Sequence, residues 1–200
     1  NANTTTYVAY VFAGGESTTD KAVEFDGTDD YLTVASSSDL TMGTGDFTIE
    51  CWLNKTAQTH KGVWQISGSN TGLETNNYGD TIALGYQSGV WQIYGGGGYQ
   101  NSASYPIVAN KWYHAAYVRS SGTSKLYIDG VEVISRSDTT NYAGTYMAIG
   151  GYYSINYLHN GRISNLRVVK GQALYKTNFS VPHDPYTITS HGAYSSNVKL

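Results

Sequence analysis

The sequence predicts an all-β protein, a two-sheet antiparallel sandwich of jelly-roll type. Three observations predict it. Short runs alternate apolar and polar residues with a period of two, the spacing of a strand with one face toward a core. Between them stand Asp-Gly, Gly-Gly and Asn/Ser-rich punctuation, where Gly accepts the positive φ that tight turns require. Among 200 residues, 19 Tyr and 23 Gly accompany 14% charged residues, so Tyr and Thr favour strands while helix formers are sparse.

Residues 4–12 (TTTYVAYVF) read as a strand ending at Gly14-Gly15. Residues 1–20 are therefore expected to form an N-terminal strand and linker, either an edge strand or part of a neighbouring domain. Residues 21–200 are expected to form one sandwich domain, a size all-β domains commonly reach. Within it, runs at 23–25 and 30–34 flank Asp26-Gly27-Thr28-Asp29 and predict an N-terminal hairpin. The run 47–53 (FTIECWL) puts Phe47, Ile49, Cys51 and Leu53 on one face, with Thr48, Glu50 and Trp52 on the other. Further strands are expected at 62–67, 81–86, 90–94, 112–119, 125–129, 131–136, 145–150 and 161–169. Asp129-Gly130 joins two of these as a two-residue connection favouring a type I′ turn. Loops are expected at 68–80, 95–105 and 151–160. One helical turn is expected at 172–176, an extended tail at 178–186, and the start of a closing strand at 198–200.

The net charge of −3 with 12 scattered basic residues points to neither nucleic acid nor an anionic membrane. No apolar run approaches the ~20 residues that span a bilayer. The single cysteine, Cys51, excludes an intrachain disulfide and reads as a small buried hydrophobe. A start at Asn1 without Met reads as a piece of something larger.

Six short pieces in order carry a resemblance. They are Phe25-Asp26-Gly27 leading to Asp30-Tyr31-Leu32; Gly45 to Glu50 leading to Trp52; Trp112-Tyr113-His114-Ala115-Ala116; Leu126 to Gly130; Met147 to Gly151; and Gly161 to Val168. Together they resemble the laminin-G-like branch of the concanavalin-A-like jelly rolls. Val169-Lys170-Gly171-Gln172-Ala173-Leu174-Tyr175 and Asn178-Phe179-Ser180-Val181-Pro182 are similar to modules of tailed-phage structural proteins. The leading Tyr7-Val8-Ala9-Tyr10 segment is similar to linkers in marine phage fibre chains. The resemblance implies a binding or adhesion module, often carrying a calcium ion at a loop edge. The fold alone does not decide function, since this sandwich hosts lectins, hydrolases and structural domains alike.

Two candidate sites follow. Asp26, Asp29 and Asp30, with the Gly27 carbonyl, form an oxygen-rich turn that either ligates structural Ca²⁺ or caps its own N–H groups. The resemblance adds a late position, here Asn165, which offers an amide oxygen in place of a carboxylate. The second candidate is a set of aromatics interleaved with amides. Tyr78, Tyr99, Gln100, Asn101, Tyr152, Tyr153, Asn156 and Tyr157 lie in Gly/Ser/Asn-rich loops, where Tyr99, Tyr152, Tyr153 and Tyr157 are expected to be exposed. A pyranose stacks its C–H face on such a ring while its hydroxyls meet amides, and a neutral site suits a neutral ligand. The same chemistry serves protein recognition. Trp64 and Trp91 are expected in the core.

Catalysis is not expected. Glu24-Phe25-Asp26-Gly27-Thr28-Asp29 only approaches the E-x-D-x-x-E run of related glucanases, and no hydrolytic triad appears. Of the five His, His114 reads as a packed strand residue; His60, His159, His183 and His191 fall in loops. The expected function is a non-enzymatic recognition module for a glycan or cell-surface receptor, at a virion surface or otherwise extracellular. The alternatives are a structural spacer contacting other virion subunits and, third, a glycoside hydrolase.

Overall fold

A computed structural model describes residues 22–56, 60–69, 81–96, 98–103, 105–152, 154–181 and 189–200. The expected strand at 4–12, most of the 68–80 loop, Tyr78, Tyr153, His183 and the tail from 182 lie outside the described residues. In chain order the strands are β1 (Val23–Asp26), β2 (Leu32–Val34), β3 (Phe47–Lys55), β4 (Lys61–Ser67), β5 (Ile82–Gln87), β6 (Val90–Gly95), β7 (Gly98–Asn101), β8 (Trp112–Ser120), β9 (Thr123–Ile128), β10 (Val131–Ser137), β11 (Tyr146–Ile149) and β12 (Asn160–Lys170). Among the described residues, helical structure is limited to short 3₁₀ turns, and no helix is long and apolar enough to cross a membrane.

The strands form two antiparallel six-stranded sheets, the architecture of a jelly-roll sandwich. Sheet A has the order β1-β12-β3-β8-β9-β10, and sheet B the order β2-β11-β4-β5-β6-β7. Phe47, Ile49, Cys51 and Leu53 point inward from β3, as the alternation requires. They meet Trp64, Leu84, Trp91 and Ile93 from sheet B. Both tryptophans are fully buried, and burial pushes the Cys51 thiol pKa up, so it packs as an inert hydrophobe.

Two expected local structures are corrected. The runs around Asp26–Asp29 do not pair as a hairpin: β1 pairs with β12 in sheet A, and β2 with β11 in sheet B. The turn carries the chain from one sheet to the other. At 172–176 no helical turn forms. Those residues bend across the outer face of sheet A without helical hydrogen bonds, held by Thr48 Oγ1, which donates to the Gln172 carbonyl (3.1 Å) and accepts from Leu174 N–H (2.9 Å). The Asp129-Gly130 reading holds: φ is +49° and +78°, as a type I′ turn needs. The closing segment at 198–200 also pairs, with Val198 bridged to Val169 and Lys199 N–H donating to the Val168 carbonyl (2.8 Å).

The segment that crosses sheet A seals it. Tyr175 and Phe179 stack with centroids 3.7 Å apart, over Ala116, Val118 and Tyr127. Beneath them Glu50 is fully buried. Arg167 Nε donates to Glu50 Oε1 (2.9 Å), and its Nη2 donates to the same oxygen. The Tyr175 hydroxyl donates to Oε2 (2.9 Å), which also lies 3.2 Å from His114 Nε2. Burial alone would raise the Glu50 pKa; the hydrogen bonds and charges of His114 and Arg167 outweigh it and bring it down to about 2. β3 is consequently buried on both faces.

Candidate functional site

The outer face of sheet B is built differently. Register places Gly85 opposite Gln92, Gln92 opposite Asn101, and Tyr94 opposite Tyr99. Since Trp91 and Ile93 point inward, the outward set is Gln87, Gln92, Tyr94, Tyr99 and Asn101. Above the middle of the face lies the chain that follows β11. Tyr152 bridges to Ser154, and a 3₁₀ turn over Ile155–Tyr157, capped by the Ser154 hydroxyl, brings Tyr157 back over the sheet.

Tyr152 fits here because two strands carry glycine beneath it. A Cβ at Gly62 would stand 2.2 Å from Tyr152 Cδ1, and one at Gly85 would stand 3.3 Å from its ring. The ring fills that notch and is 2% exposed. This corrects the expected exposure of Tyr152. A Gly/Tyr/Ser-rich loop reads as surface, and the notch that buries the ring comes from β4 and β5.

A hydrogen-bonded array surrounds the ring. The Tyr152 hydroxyl donates to Gln92 Oε1 (2.8 Å) and contacts His60 Nε2, which also lies 3.2 Å from Gln92 Oε1. Gln92 Nε2 donates to Asn101 Oδ1 (2.8 Å) and Gln87 Oε1 (3.3 Å). Rings frame the amides: Tyr94–Tyr99 at 4.6 Å, Tyr99–Tyr152 at 6.3 Å and His60–Tyr157 at 4.5 Å. Burial lowers the His60 pKa, only partly countered by its bond to Gln92, so the imidazole is neutral at pH 7. No member of the cluster then carries a charge.

Of the residues singled out in the sequence, the structure brings Tyr99, Asn101, Tyr152 and Tyr157 to this face. Tyr99 is the exposed ring, at 43%. Tyr99 and Asn101 lie on β7, not in the loop expected at 95–105. Gln100 pairs with Ile93 and so turns to the opposite face. Asn156 is exposed on the 3₁₀ turn, where its N–H donates to Ser154 Oγ (3.3 Å). His60, Gln87 and Gln92 are absent from the expected site residues. Alternation along 90–94 was the available signal, since it sets Gln92 opposite in face to Trp91.

The acidic turn is a separate place. Oxygens of Asp26, Asp29 and Asp30 lie within 4.8 Å of one another, all three residues exposed. Asp26 Oδ1 accepts from Thr28 N–H (2.7 Å), and Asp30 Oδ2 from Asp26 N–H (3.3 Å). The Gly27 carbonyl accepts from Lys61 Nζ (3.4 Å). Asn165 is not brought to the cluster: it is buried at a bulge in β12, whereas Asp26 pairs with Asn160 five residues earlier. Asn160 Nδ2 donates to the Asp26 carbonyl (2.8 Å). The all-oxygen donor set suits a hard cation that takes six to eight oxygens, with waters completing it. Glu24 lies on the outer side of the edge strand β1, with both carboxylate oxygens 3.3 Å from Arg162 Nη2.

A family profile described as the concanavalin A-like lectin/glucanases superfamily, laminin G type, matches residues 26–176. Among curated proteins no sequence matches the chain. Among solved structures, one similar fold is domain 4 of AbnA, an extracellular arabinanase from Geobacillus stearothermophilus, in complex with arabinotriose. It is 18% identical, with a TM-score of 0.59 over 82% of this chain and 78% of that one. Another is the carbohydrate-binding module of the Ruminococcus gnavus intramolecular trans-sialidase, bound to α2,3-sialyllactose. It is 10% identical, with a TM-score of 0.53 over 78% of this chain and 92% of that one. Mouse laminin α1 domains LG4-5 are 18% identical, with a TM-score of 0.50 over 86% of this chain and 46% of that one.

Proposed function

The chain belongs to the concanavalin A-like lectin/glucanase superfamily, and from that premise we propose that it is a non-catalytic glycan-recognition module. The observation that carries the proposal is the outer face of sheet B, uncharged among the described residues, where an exposed Tyr99 ring stands beside the Gln92-Asn101-Gln87 amides. Aromatic ring and neutral amide together match the two surfaces of a sugar. No ion has to be desolvated on binding. That a structural relative is held in complex with arabinotriose, a neutral sugar, supports this reading.

Residues 169–182 resemble tailed-phage modules, and on that ground the module belongs to a virion-surface or other extracellular protein, with a cell-surface glycan or receptor as partner. Ca²⁺ enters as a structural ion. Asp26, Asp29 and Asp30 would hold it, tying the β1–β2 crossing without touching the ligand face. A spacer domain meeting neighbouring virion subunits is the second reading, favoured by Tyr99 lying on β7, the edge strand of sheet B.

A glycan array probed with and without EDTA, alongside light scattering, separates these. Binding that Tyr99→Ala removes supports recognition. Silence across a broad panel from a folded protein, with concentration-dependent association through Tyr99, supports the spacer. A thermal midpoint raised by Ca²⁺ and lost on Asp29→Asn supports the ion site.

A further inference from the structure

The amide array has a direction. A carboxamide offers two lone pairs and two N–H groups. Gln92, 4% exposed, has all four engaged: Oε1 by the Tyr152 hydroxyl and His60 Nε2, Nε2 by Asn101 Oδ1 and Gln87 Oε1. With the Tyr152 hydrogen given to Gln92, the His60 nitrogen facing both groups is the protonated one. The oxygens of Asn101 and Gln87 are therefore both turned inward onto Gln92. Their outward ends are N–H groups, and these donate to none of the described residues. Asn101 is exposed and shares its side of β7 with the open Tyr99 ring two residues away, a separation of about 7 Å along a strand.

We infer that the outward amide ends of this face, at Asn101 and Gln87, offer hydrogen-bond donors, and that its ligand is an uncharged glycan bearing acetamido groups, an N-acetylhexosamine chain. The inference rests on the glycan-recognition reading above. An acetamido carbonyl accepts hydrogen bonds and has none to give, so a rim of N–H groups satisfies it completely. A hydroxyl in the same place must also pass on its own hydrogen, and the outward NH₂ groups of Asn101 and Gln87 supply no acceptor for it. A carboxylate accepts as well as a carbonyl does, but its charge has no cationic partner within the cluster, so acidic sugars are disfavoured. The acetamido methyl and the pyranose C–H face complete the fit against Tyr99. Gln92 acts as a positioning residue, setting which way Asn101 and Gln87 point.

Calorimetric titration with N,N′,N″-triacetylchitotriose (hereafter chitotriose) and cellotriose tests this, since the two share a backbone and differ in the acetamido groups. Chitotriose is expected to bind roughly tenfold or more tightly than cellotriose, the scale of one or two net hydrogen bonds. Gln92→Glu is the directional control. A carboxylate at 92 only accepts, so Asn101 must turn its NH₂ inward and its carbonyl outward, and the preference for chitotriose collapses. Asn101→Asp, at an exposed position that does not threaten folding, removes the outward donors and gives the same loss. Tyr99→Ala weakens both sugars together. Equal or tighter binding of cellotriose by the unmodified protein overturns the inference, as does a chitotriose preference that survives both Gln92→Glu and Asn101→Asp. Binding of other neutral glycans through Tyr99 without acetamido groups leaves recognition standing and sinks this inference alone. If no glycan binds, both fall.

Discussion

The outward faces of the two sheets start from the same kind of sequence, strands whose alternate positions carry polar and aromatic residues, and end in opposite states. On sheet A those positions hold Glu50, Trp52, His114 and Arg167, and the segment through Tyr175 and Phe179 lies over them. On sheet B they hold Gln92, Tyr94, Tyr99 and Asn101, with Tyr152 filling the centre and Tyr99 left open. Charge is placed where the chain itself brings the countercharge and the hydrogen bonds. Neutral groups are placed where, on the proposed reading, something from outside has to be met. Desolvation explains the division: an ion sealed with its partners is tolerable, while an ion that each ligand must strip of water weakens every encounter.

Breaking sheet A's side of this comparison has the largest expected effect. Glu50→Ala leaves Arg167 buried without its partner and is expected to cost roughly 3–5 kcal/mol by urea denaturation. Acid probes the same network. The folded Glu50 pKa, about 2, lies below its ordinary value of 4.5, so the stability it lends is full above 4.5 and drains away as the pH falls toward 2. His159, buried with its Nε2 3.1 Å from the Asn54 carbonyl, is brought down to about 4 by desolvation. The unfolded chain therefore takes up its proton first, and stability also declines between 6.5 and 4. Thermal midpoints measured from pH 7 to 2 should fall in these two windows, and His159→Asn should flatten the upper one.

Sheet B is more lenient. Gly62→Ala drives a Cβ into Tyr152 and should cost about 1–3 kcal/mol, as overpacking does, while disturbing the amide array. The smallest effect on stability belongs to Tyr99→Ala, within about 0.5 kcal/mol for an exposed residue. Its effect on glycan binding should nonetheless be a loss of tenfold or more, in keeping with stacking contributions of about 1–3 kcal/mol for an aromatic platform. A variant that unfolds instead would make sheet B's outer face a second core.

Most of the fold was legible because alternation and turn chemistry are local. What failed was decided at a distance. Asp26-Gly27 has the chemistry of a hairpin turn, yet β1 and β2 find partners in β12 and β11, more than a hundred residues on. β7 was hidden behind Gly95 and Gly98, which read as loop until Tyr99 and Asn101 are set against Tyr94 and Gln92. Gln-Ala-Leu at 172–174 suggested a helical turn, and the Thr48 hydroxyl overrode it. The site was half legible. Residue types pointed to neutral aromatic recognition, while Gly62 and Gly85, which sink Tyr152 and leave Tyr99 to face outward, belong to strands a local reading has no cause to join to it.

The covering of Glu50 also bears on the order in which the molecule is made. β3 leaves the ribosome before the groups that cover it: Arg167 follows Glu50 by 117 residues and Tyr175 by 125. During synthesis this strand waits with its inner face of Phe47, Ile49, Cys51 and Leu53 unpaired on the β12 side, the kind of edge that joins with other chains. An unneutralised carboxylate in the middle of that strand is expected to act meanwhile as a gatekeeper against association, as charges beside exposed apolar strands do. The same charge that later ties the finished sheet to its cover keeps the unfinished one apart from its neighbours.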